Sequence, residues 1–178
     1  MTVPQIAVPT CTVPPGPEEP IGLAILGSTG SIGRQVLDIV AQFPDRFRVV
    51  SLAAGSNAHL LAEQAARFRP QLIALERFEP SNTFEVPVAV GVNGLTDAAL
   101  HPDVNIVVTA TSGHAAILPT ARAIEAGKTI ALANKETIVC AGELIVPLAR
   151  KSGVEIRPVD SEHCAIWQAL GRSDGRDR

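Results

Sequence analysis

A strand-length apolar run followed by three evenly spaced glycines most constrains how this chain can fold. The run at residues 21–26 leads into Gly27, Gly30 and Gly33, and an apolar pattern at helical spacing follows. Glycine allows the close backbone approach of a tight strand-to-helix turn. Free N–H groups at the helix N-terminus suit a pyrophosphate, so the stretch predicts the first unit of a dinucleotide-binding fold. A purely structural βα turn is the alternative.

Strand-length apolar segments alternate with helical patterns along the rest of the chain. Strands are predicted at 21–26, 47–54, 71–75, 86–90, 105–110, 129–133 and 154–158. Helices are predicted at 31–42, 96–100 and 142–151, and two further helices are predicted to end at about residues 68 and 126. This alternation predicts an α/β fold, Rossmann-like and doubly wound, with a mostly parallel sheet and helices on both faces. The inward face predicted for the first helix comprises Ile32, Val36, Ile39, Val40 and Phe43.

Composition narrows the classes of partner and the cellular compartment. The 178 residues carry a formal net charge of −3 and no basic stripe, which argues against nucleic acid. No apolar run has the length of a membrane span, and the three cysteines have neither disulfide nor zinc spacing, so a cytoplasmic protein is expected. Residues 1–20 and 171–178 are expected to be disordered, Cys164 to be buried, and His59, His101 and His114 to be structural or on the surface.

The end of the second predicted strand bears on cofactor choice. NAD-binding folds usually carry an acidic residue here, which binds the ribose 2′-hydroxyl. This chain has Gly55, Ser56 and Asn57 instead, with His59 close by. A carboxylate would repel a 2′-phosphate, whereas these groups can bind it by hydrogen bonds, so NADP(H) is favoured over NAD(H). Asn57 also suits the N-cap of the following helix, and both roles are compatible.

A polar triplet follows the sixth predicted strand. Asn134, Lys135 and Glu136 stand where loops of open α/β sheets meet ligands, at the carboxyl ends of strands. The lysine offers a positive charge to an anionic substrate. An ordinary loop is an equal alternative.

A second polar cluster follows the last predicted strand. Asp160 and Glu162 are two residues apart and could hold a hard cation through oxygen, Mg²⁺ or Mn²⁺ rather than zinc. The alternative is that Asp160 or Ser161 caps the next helix, a role that both residue types favour. From the residues alone, capping is the preferred interpretation.

Three motifs together carry a resemblance to a known family. Gly27-Ser-Thr-Gly-Ser-Ile-Gly33, Ala131-Leu-Ala-Asn-Lys-Glu136 and Pro158-Val-Asp-Ser-Glu-His163 occur in this order at fitting separations. The chain closely resembles the N-terminal portion of 1-deoxy-D-xylulose 5-phosphate reductoisomerase from about residue 21 to 170. The resemblance implies an enzyme of isoprenoid precursor synthesis, which uses NADPH and Mg²⁺ or Mn²⁺. It converts 1-deoxy-D-xylulose 5-phosphate to 2-C-methyl-D-erythritol 4-phosphate by rearrangement and reduction.

The resemblance also implies roles for individual residues and for segments. The cofactor phosphates would contact Thr29, Gly30, Ser31 and Ile32. The adenosine 2′-phosphate would lie beside Gly55 and Asn57, and the nicotinamide side would face Asn134 and Glu136. The substrate would contact Lys135, Ser161 and Glu162, of which Lys135 and Glu162 would be catalytic. The metal would be ligated by Asp160 and Glu162. Residues 21–158 would form the NADP-binding domain and 159–170 the start of a catalytic domain. Because the family is homodimeric, the resemblance also implies that this protein forms a homodimer.

The chain also departs from the family pattern. Many members have Lys or Arg where Ser56 stands, and the stretch 112–116 differs from the usual Val-Gly-x-Ala-Gly. The family continues well beyond the length of this chain, so a truncated N-terminal part, inactive alone, is expected. Other hypotheses are a non-catalytic NADP-binding module and another dehydrogenase with the same glycine spacing.

Overall fold

The central feature of the computed structural model is one sheet of seven parallel strands, in the order β4-β3-β2-β1-β5-β6-β7. The structure describes residues 19–77 and 84–169. The predictions for residues 1–18, for the loop at 78–82 and for the tail at 171–178 lie outside these ranges. The strands are β1 (Ile21–Leu26), β2 (Phe47–Ala54), β3 (Leu72–Leu75), β4 (Val88–Val90), β5 (Ile106–Thr109), β6 (Thr129–Leu132) and β7 (Ile156–Pro158).

The chain reverses its direction across the sheet between β1 and β5. β1 to β4 follow one another outward, and the chain then returns to place β5 on the other side of β1. Leu26 of β1 aligns with Ala53 of β2 and with Thr109 of β5. The carboxyl ends of the three central strands therefore meet at one edge, where open α/β sheets bind ligands.

Helices cover both faces of the sheet, because alternate side chains of the buried strands point to opposite sides. Leu23 and Ile25 of β1 pack with the helices that follow β1 and β2, whereas Ala24 and Leu26 pack with the helices that follow β4, β5 and β6. The α/β, Rossmann-like, doubly wound prediction is confirmed, and every strand pair is parallel. The helices are α1 (Ser31–Gln42), α2 (Ala58–Phe68), α3 (Gly91–Leu100), α4 (Ile117–Glu125), α5 (Lys135–Ser152) and α6 (Ser161–Ala169).

Two helices are longer than predicted. α3 begins at Gly91 rather than at residue 96, and α5 begins at Lys135 rather than at residue 142. The prediction for α5 was wrong because the side chain of Asn134 caps the helix at the earlier position. The same helix contains Pro147, a residue that usually ends a helix.

The predicted inward face of α1 was partly wrong. Ile39 and Phe43 are 48% and 46% exposed, whereas Gly33, Leu37 and Val40 are buried. The helix is rotated relative to the prediction because Gly33 packs against the turn after β1. Within the described residues, no helix combines the length and the apolar character needed to cross a membrane.

Candidate cofactor site at the switch point of the sheet

A cleft of about 700 Å³ opens where the central strands end. The turn after β1 lines it with Gly27, Thr29 and Gly30, and the loop after β5 lines it with Thr111 and Ser112. The ends of β2 and β3 and the start of α3 complete the wall. The cleft therefore lies at the point of strand reversal described above.

The turn after β1 depends on two glycines. Gly27 has φ +90, and a Cβ there would lie 2.5 Å from the carbonyl oxygen of Ala110. A Cβ on Gly33 would lie 2.3 Å from the carbonyl oxygen of Gly27. Real Cβ atoms do not approach backbone this closely, so the turn and α1 fit together only with glycine at both positions.

The backbone N–H groups at the N-terminus of α1 are not occupied by a capping side chain. Its N-cap is Gly30, without a side-chain hydrogen bond, and its first turn contains no acidic residue. The first N–H groups of a helix have no partner within the helix, and the helix dipole is positive at this end. This end of the cleft is therefore suited to an anion such as a pyrophosphate.

A buried pair of hydrogen bonds fixes the turn to α2. The hydroxyl of Ser28 donates to Oε1 of Gln64 at 2.8 Å, and Nε2 of Gln64 donates to the carbonyl of Ser28 at 2.9 Å. Sequence reasoning missed Gln64, since a glutamine within a helical pattern gives no signal of a partner 36 residues away. The pair keeps the turn rigid without using any group that faces the cleft.

Only some of the residues predicted to bind the cofactor line the cleft. Thr29, Gly30 and Gly55 line the cleft. Ser31 faces a second groove of about 420 Å³ between α1 and α2, and Ile32 is half-buried in the first turn of α1. Their backbone N–H groups, rather than their side chains, are the groups placed at the helix N-terminus.

Asn57 performs the capping role considered from the sequence. Its Oδ1 accepts a hydrogen bond of 3.1 Å from the backbone N–H of Leu60. The residue is exposed and lies two positions after Gly55, which lines the cleft. The cap uses Oδ1, so the capped geometry leaves the side-chain amide as a donor.

Asn134 connects the start of α5 to the loop after β5. Its Nδ2 donates to the carbonyls of Thr111 and Gly113 at 2.6 and 2.8 Å. Its Oδ1 accepts from the backbone N–H and the hydroxyl of Thr137, both at 2.8 Å. The residue is 2% exposed. The structure thus assigns this side chain a positioning role for the loop that lines the cleft.

Glu136 supports the same loop, and Lys135 remains outside it. Oε1 of Glu136 accepts a hydrogen bond of 3.4 Å from the backbone N–H of Gly113. Lys135 is exposed as the first residue of α5, where the positive end of the helix dipole disfavours a cation.

The second polar cluster stands at the N-terminus of α6. Oδ1 of Asp160 accepts from the backbone N–H of His163 at 2.9 Å and lies 2.7 Å from its Nδ1. The capping interpretation is therefore confirmed. Partial burial acts to raise the pKa of Asp160, but the hydrogen bonds from His163 outweigh it, and the pKa lies below its ordinary value.

Glu162 is held next to Asp160 in the same cluster. The hydroxyl of Ser161 donates to Oε2 of Glu162 at 2.8 Å, which lowers the pKa of this carboxyl. The charge of Lys135 lowers the same pKa further, and that of Asp160 raises it. The fold therefore brings Lys135 and Asp160, predicted from two separate motifs, within electrostatic range of Glu162.

The donor set of this cluster fits a hard divalent cation only in part. Asp160 and Glu162 supply carboxylate oxygens, which Mg²⁺ and Mn²⁺ prefer. Over residues 19–77 and 84–169, however, no group of three His, Cys, Asp or Glu side chains could hold a metal ion. The described part of the chain thus offers two neighbouring carboxylates at this point and no third side chain of these types beside them.

Three further residues were placed differently from the sequence prediction or were missed. Cys164 is half-buried rather than buried. His114 is exposed as expected, but it also lines the cleft. Glu76 lines the cleft directly after β3, and the rule that ligands bind at strand ends would have found it.

The strand order, the glycine turn and the cleft place this protein in the class of Rossmann-type α/β proteins, whose ligands bind at the switch point of the sheet. The family model of 1-deoxy-D-xylulose 5-phosphate reductoisomerase matches residues 23–142. The chain belongs to this family.

Similar proteins agree with this assignment. A 1-deoxy-D-xylulose 5-phosphate reductoisomerase of Thermomicrobium roseum is 52% identical over 151 residues, which are 84% of this chain and 39% of that protein. A solved DOX-P reductoisomerase in complex with NADPH, fosmidomycin and magnesium is 39% identical, with a TM-score of 0.77 over 83% of this chain and 38% of that one. The Zymomonas mobilis enzyme in complex with NADPH is 36% identical, with a TM-score of 0.77 over 84% of this chain and 41% of that one. The chain thus spans about two fifths of the length of these relatives.

Proposed function

We propose that this chain binds NADPH in the cleft and forms the cofactor-binding part of a 1-deoxy-D-xylulose 5-phosphate reductoisomerase. The reaction is the rearrangement and NADPH-dependent reduction of 1-deoxy-D-xylulose 5-phosphate to 2-C-methyl-D-erythritol 4-phosphate. The observation that carries the proposal is the cleft at the strand reversal, with an uncapped helix N-terminus on one wall. The solved relatives that contain NADPH support it.

The cofactor would lie across the carboxyl ends of the central strands. Thr29 and Gly30, with the N–H groups of Ser31 and Ile32, would hold the pyrophosphate at the N-terminus of α1. Gly55 and Asn57 would lie beside the adenosine 2′-phosphate. Asn134 and Glu136 would act on the nicotinamide side through the loop after β5 that they support.

Preference for NADPH over NADH is the first test of the proposal. Residues 55–57 contain no carboxylate and offer hydroxyl and amide donors to a 2′-phosphate. We expect NADPH to bind at least about tenfold more tightly than NADH, equivalent to about 1.4 kcal/mol. Titration of the purified chain with each cofactor, followed by cofactor fluorescence, measures the two dissociation constants.

The variant Ser56→Asp sharpens this test, because it adds one negative charge beside the proposed phosphate position. Two like charges a few ångströms apart near a protein surface repel by about 1–4 kcal/mol. Affinity for NADPH should therefore fall about tenfold or more while affinity for NADH is retained or improved. Equal losses for both cofactors would contradict the placement of the 2′-phosphate next to this loop.

The catalytic residues would come from the cluster beyond β7 and from the start of α5. Asp160 and Glu162 would ligate Mg²⁺ or Mn²⁺, which would act as a Lewis acid toward the substrate oxygens. Lys135 would bind the anionic substrate, and Ser161 and Glu162 would contact it as well. The lowered pKa values of both carboxyl groups keep them ionised and available as oxygen ligands.

These 178 residues alone should not turn over substrate. Two carboxylates leave most of an octahedral shell to water, so the metal would be held weakly. We expect NADPH oxidation in the presence of 1-deoxy-D-xylulose 5-phosphate and Mn²⁺ to equal the enzyme-free rate. A rate above that blank that disappears in Glu162→Gln would show that this chain has a complete site.

Two alternatives differ in their support. A non-catalytic NADP-binding module is favoured by the absence of a three-ligand metal group in residues 19–77 and 84–169. It predicts NADPH binding without any effect of Mn²⁺. Another dehydrogenase with the same glycine spacing has lost its support, because the chain belongs to the reductoisomerase family.

The remaining parts of the proposal concern organisation. Residues 21–158, which contain all seven strands described, would be the NADP-binding domain, and 159–170 would begin the catalytic domain. The protein would act in the cytoplasm as a homodimer on a small phosphorylated sugar. Light scattering of the purified chain tests the dimer directly.

A further inference from the structure

Glu76 places a carboxylate in the cleft beside the end of β2. It directly follows β3, and its backbone N–H donates to the carbonyl of Ala54 at 3.3 Å. Its Oε2 lies 3.6 Å from the point that a Cβ on Gly55 would occupy. The carboxylate therefore lies within van der Waals range of this point at Gly55, and both residues line the cleft.

Within the part of the chain that the structure describes, the charge of Glu76 is not paired. Of the ion pairs found among residues 19–77 and 84–169, none involves this carboxylate. The side chain is exposed and lines the cleft together with Leu95 of α3. An acceptor without a cation, next to an apolar wall, suits a neutral ligand group that combines a flat apolar surface with a hydrogen-bond donor.

The distances across the sheet indicate which part of the cofactor reaches Glu76. Neighbouring strands are about 4.8 Å apart, so the end of β3 is about 10 Å from the end of β1. With the pyrophosphate at the turn after β1, the adenosine ribose lies over the end of β2, at Gly55. The next group along the cofactor, the adenine base, then lies over the end of β3, between Glu76 and Leu95.

We propose that Glu76 is a specificity-determining residue that accepts a hydrogen bond from the exocyclic N6 amino group of the cofactor's adenine. The proposal rests on the proposed binding of NADPH in this cleft. A carboxylate only accepts hydrogen bonds, and the N6 amino group is the donor on the adenine edge. Hypoxanthine carries a carbonyl oxygen at the same position and would face the carboxylate with an acceptor. Glu76 thus selects adenine dinucleotides by the base.

The test compares NADPH with its hypoxanthine analogue, reduced nicotinamide hypoxanthine dinucleotide phosphate. The two ligands keep the same phosphates, ribose groups and nicotinamide. Dissociation constants are measured by titration of the full chain and of the variant Glu76→Gln. Glutamine keeps an acceptor for adenine and adds an amide donor for the hypoxanthine carbonyl. Glu143→Gln is the matched control, because Glu143 is exposed on α5 and does not line the cleft.

The wild-type chain should bind NADPH about tenfold more tightly than the analogue, the size expected for one hydrogen bond to a charged group. This ratio should fall to about two or less in Glu76→Gln and stay at about ten in Glu143→Gln. Unchanged melting temperatures of the ligand-free variants would show that the folds are intact.

Two results would overturn the inference in distinguishable ways. An equal ratio in wild type and Glu76→Gln, even with both affinities changed, would show that Glu76 acts on the ribose or phosphate and not on the base. Absence of binding of either ligand to the wild-type chain would overturn the proposed function and this inference with it.

Discussion

The variant Asn134→Ala should lose about 4 kcal/mol of unfolding free energy. The Asn134 side chain makes four hydrogen bonds, and it donates two of them to the carbonyls of Thr111 and Gly113. Removing the amide leaves buried polar groups without partners, and each costs about 1–3 kcal/mol. Thermal unfolding followed by circular dichroism measures the change, and the midpoint should fall by about 8–16 °C for a chain of this size.

Asn57→Ala provides the matched control for this prediction. Asn57 also caps a helix, but it is exposed and its side chain makes a single hydrogen bond, to Leu60. Loss of an ordinary cap costs about 1 kcal/mol. If both alanine variants lose the same stability, the bonds from Asn134 to the loop after β5 contribute nothing beyond capping, contrary to the role assigned here.

Gly33→Ala should lower the free energy of unfolding by about 3 kcal/mol, at the upper end of what overpacking usually costs. The new methyl group would lie 2.3 Å from the carbonyl oxygen of Gly27 and 2.6 Å from Cα of Ser28. Both are backbone atoms of the turn, so relief requires α1 to move away from β1. Such a shift would also displace the N-terminus of α1, and NADPH affinity should fall in the same variant.

Replacing Gly142 with alanine should raise the free energy of unfolding instead of lowering it. Gly142 lies in α5, where a Cβ would be 3.5 Å from Cγ2 of Ile138, an ordinary van der Waals contact. Alanine in a helix interior is favoured over glycine by about 1 kcal/mol. Gly142→Ala should therefore unfold at a higher urea concentration than the wild type, while Gly33→Ala unfolds at a lower one. A Gly33→Ala variant as stable as the wild type would contradict the close fit of α1 to the turn.

The fold could be predicted from local patterns because the strands are continuous apolar runs. β1 and β2 each carry a strong signal and match their predicted bounds. α5 was predicted too short because its first two turns are stabilised by a cap, Asn134, whose bonds reach a loop 21 and 23 residues earlier.

Sequence patterns singled out candidate site residues but did not give the contacts of their side chains. Asp160, Glu162 and Lys135 were identified from two motifs, and the structure places Lys135 and Asp160 within electrostatic range of Glu162. The sequence does not reveal that Asn134 is buried beneath the loop, or that Glu76 lies beside Gly55. Both facts depend on which strands are neighbours, and strand order does not follow from the pattern of one strand.

The position of β1 in the sheet has a consequence during synthesis on the ribosome. β1 pairs with β2 on one side, but its other partner, β5, begins 80 residues after β1 ends. At about 5–20 residues per second, the ribosome needs about 4–16 s to add this stretch. Throughout that time β1 has an open edge in the nascent chain, the feature that invites pairing with other chains. A chaperone that covers residues 21–26 until residue 109 has emerged would protect this protein during the interval in which it is most prone to aggregate.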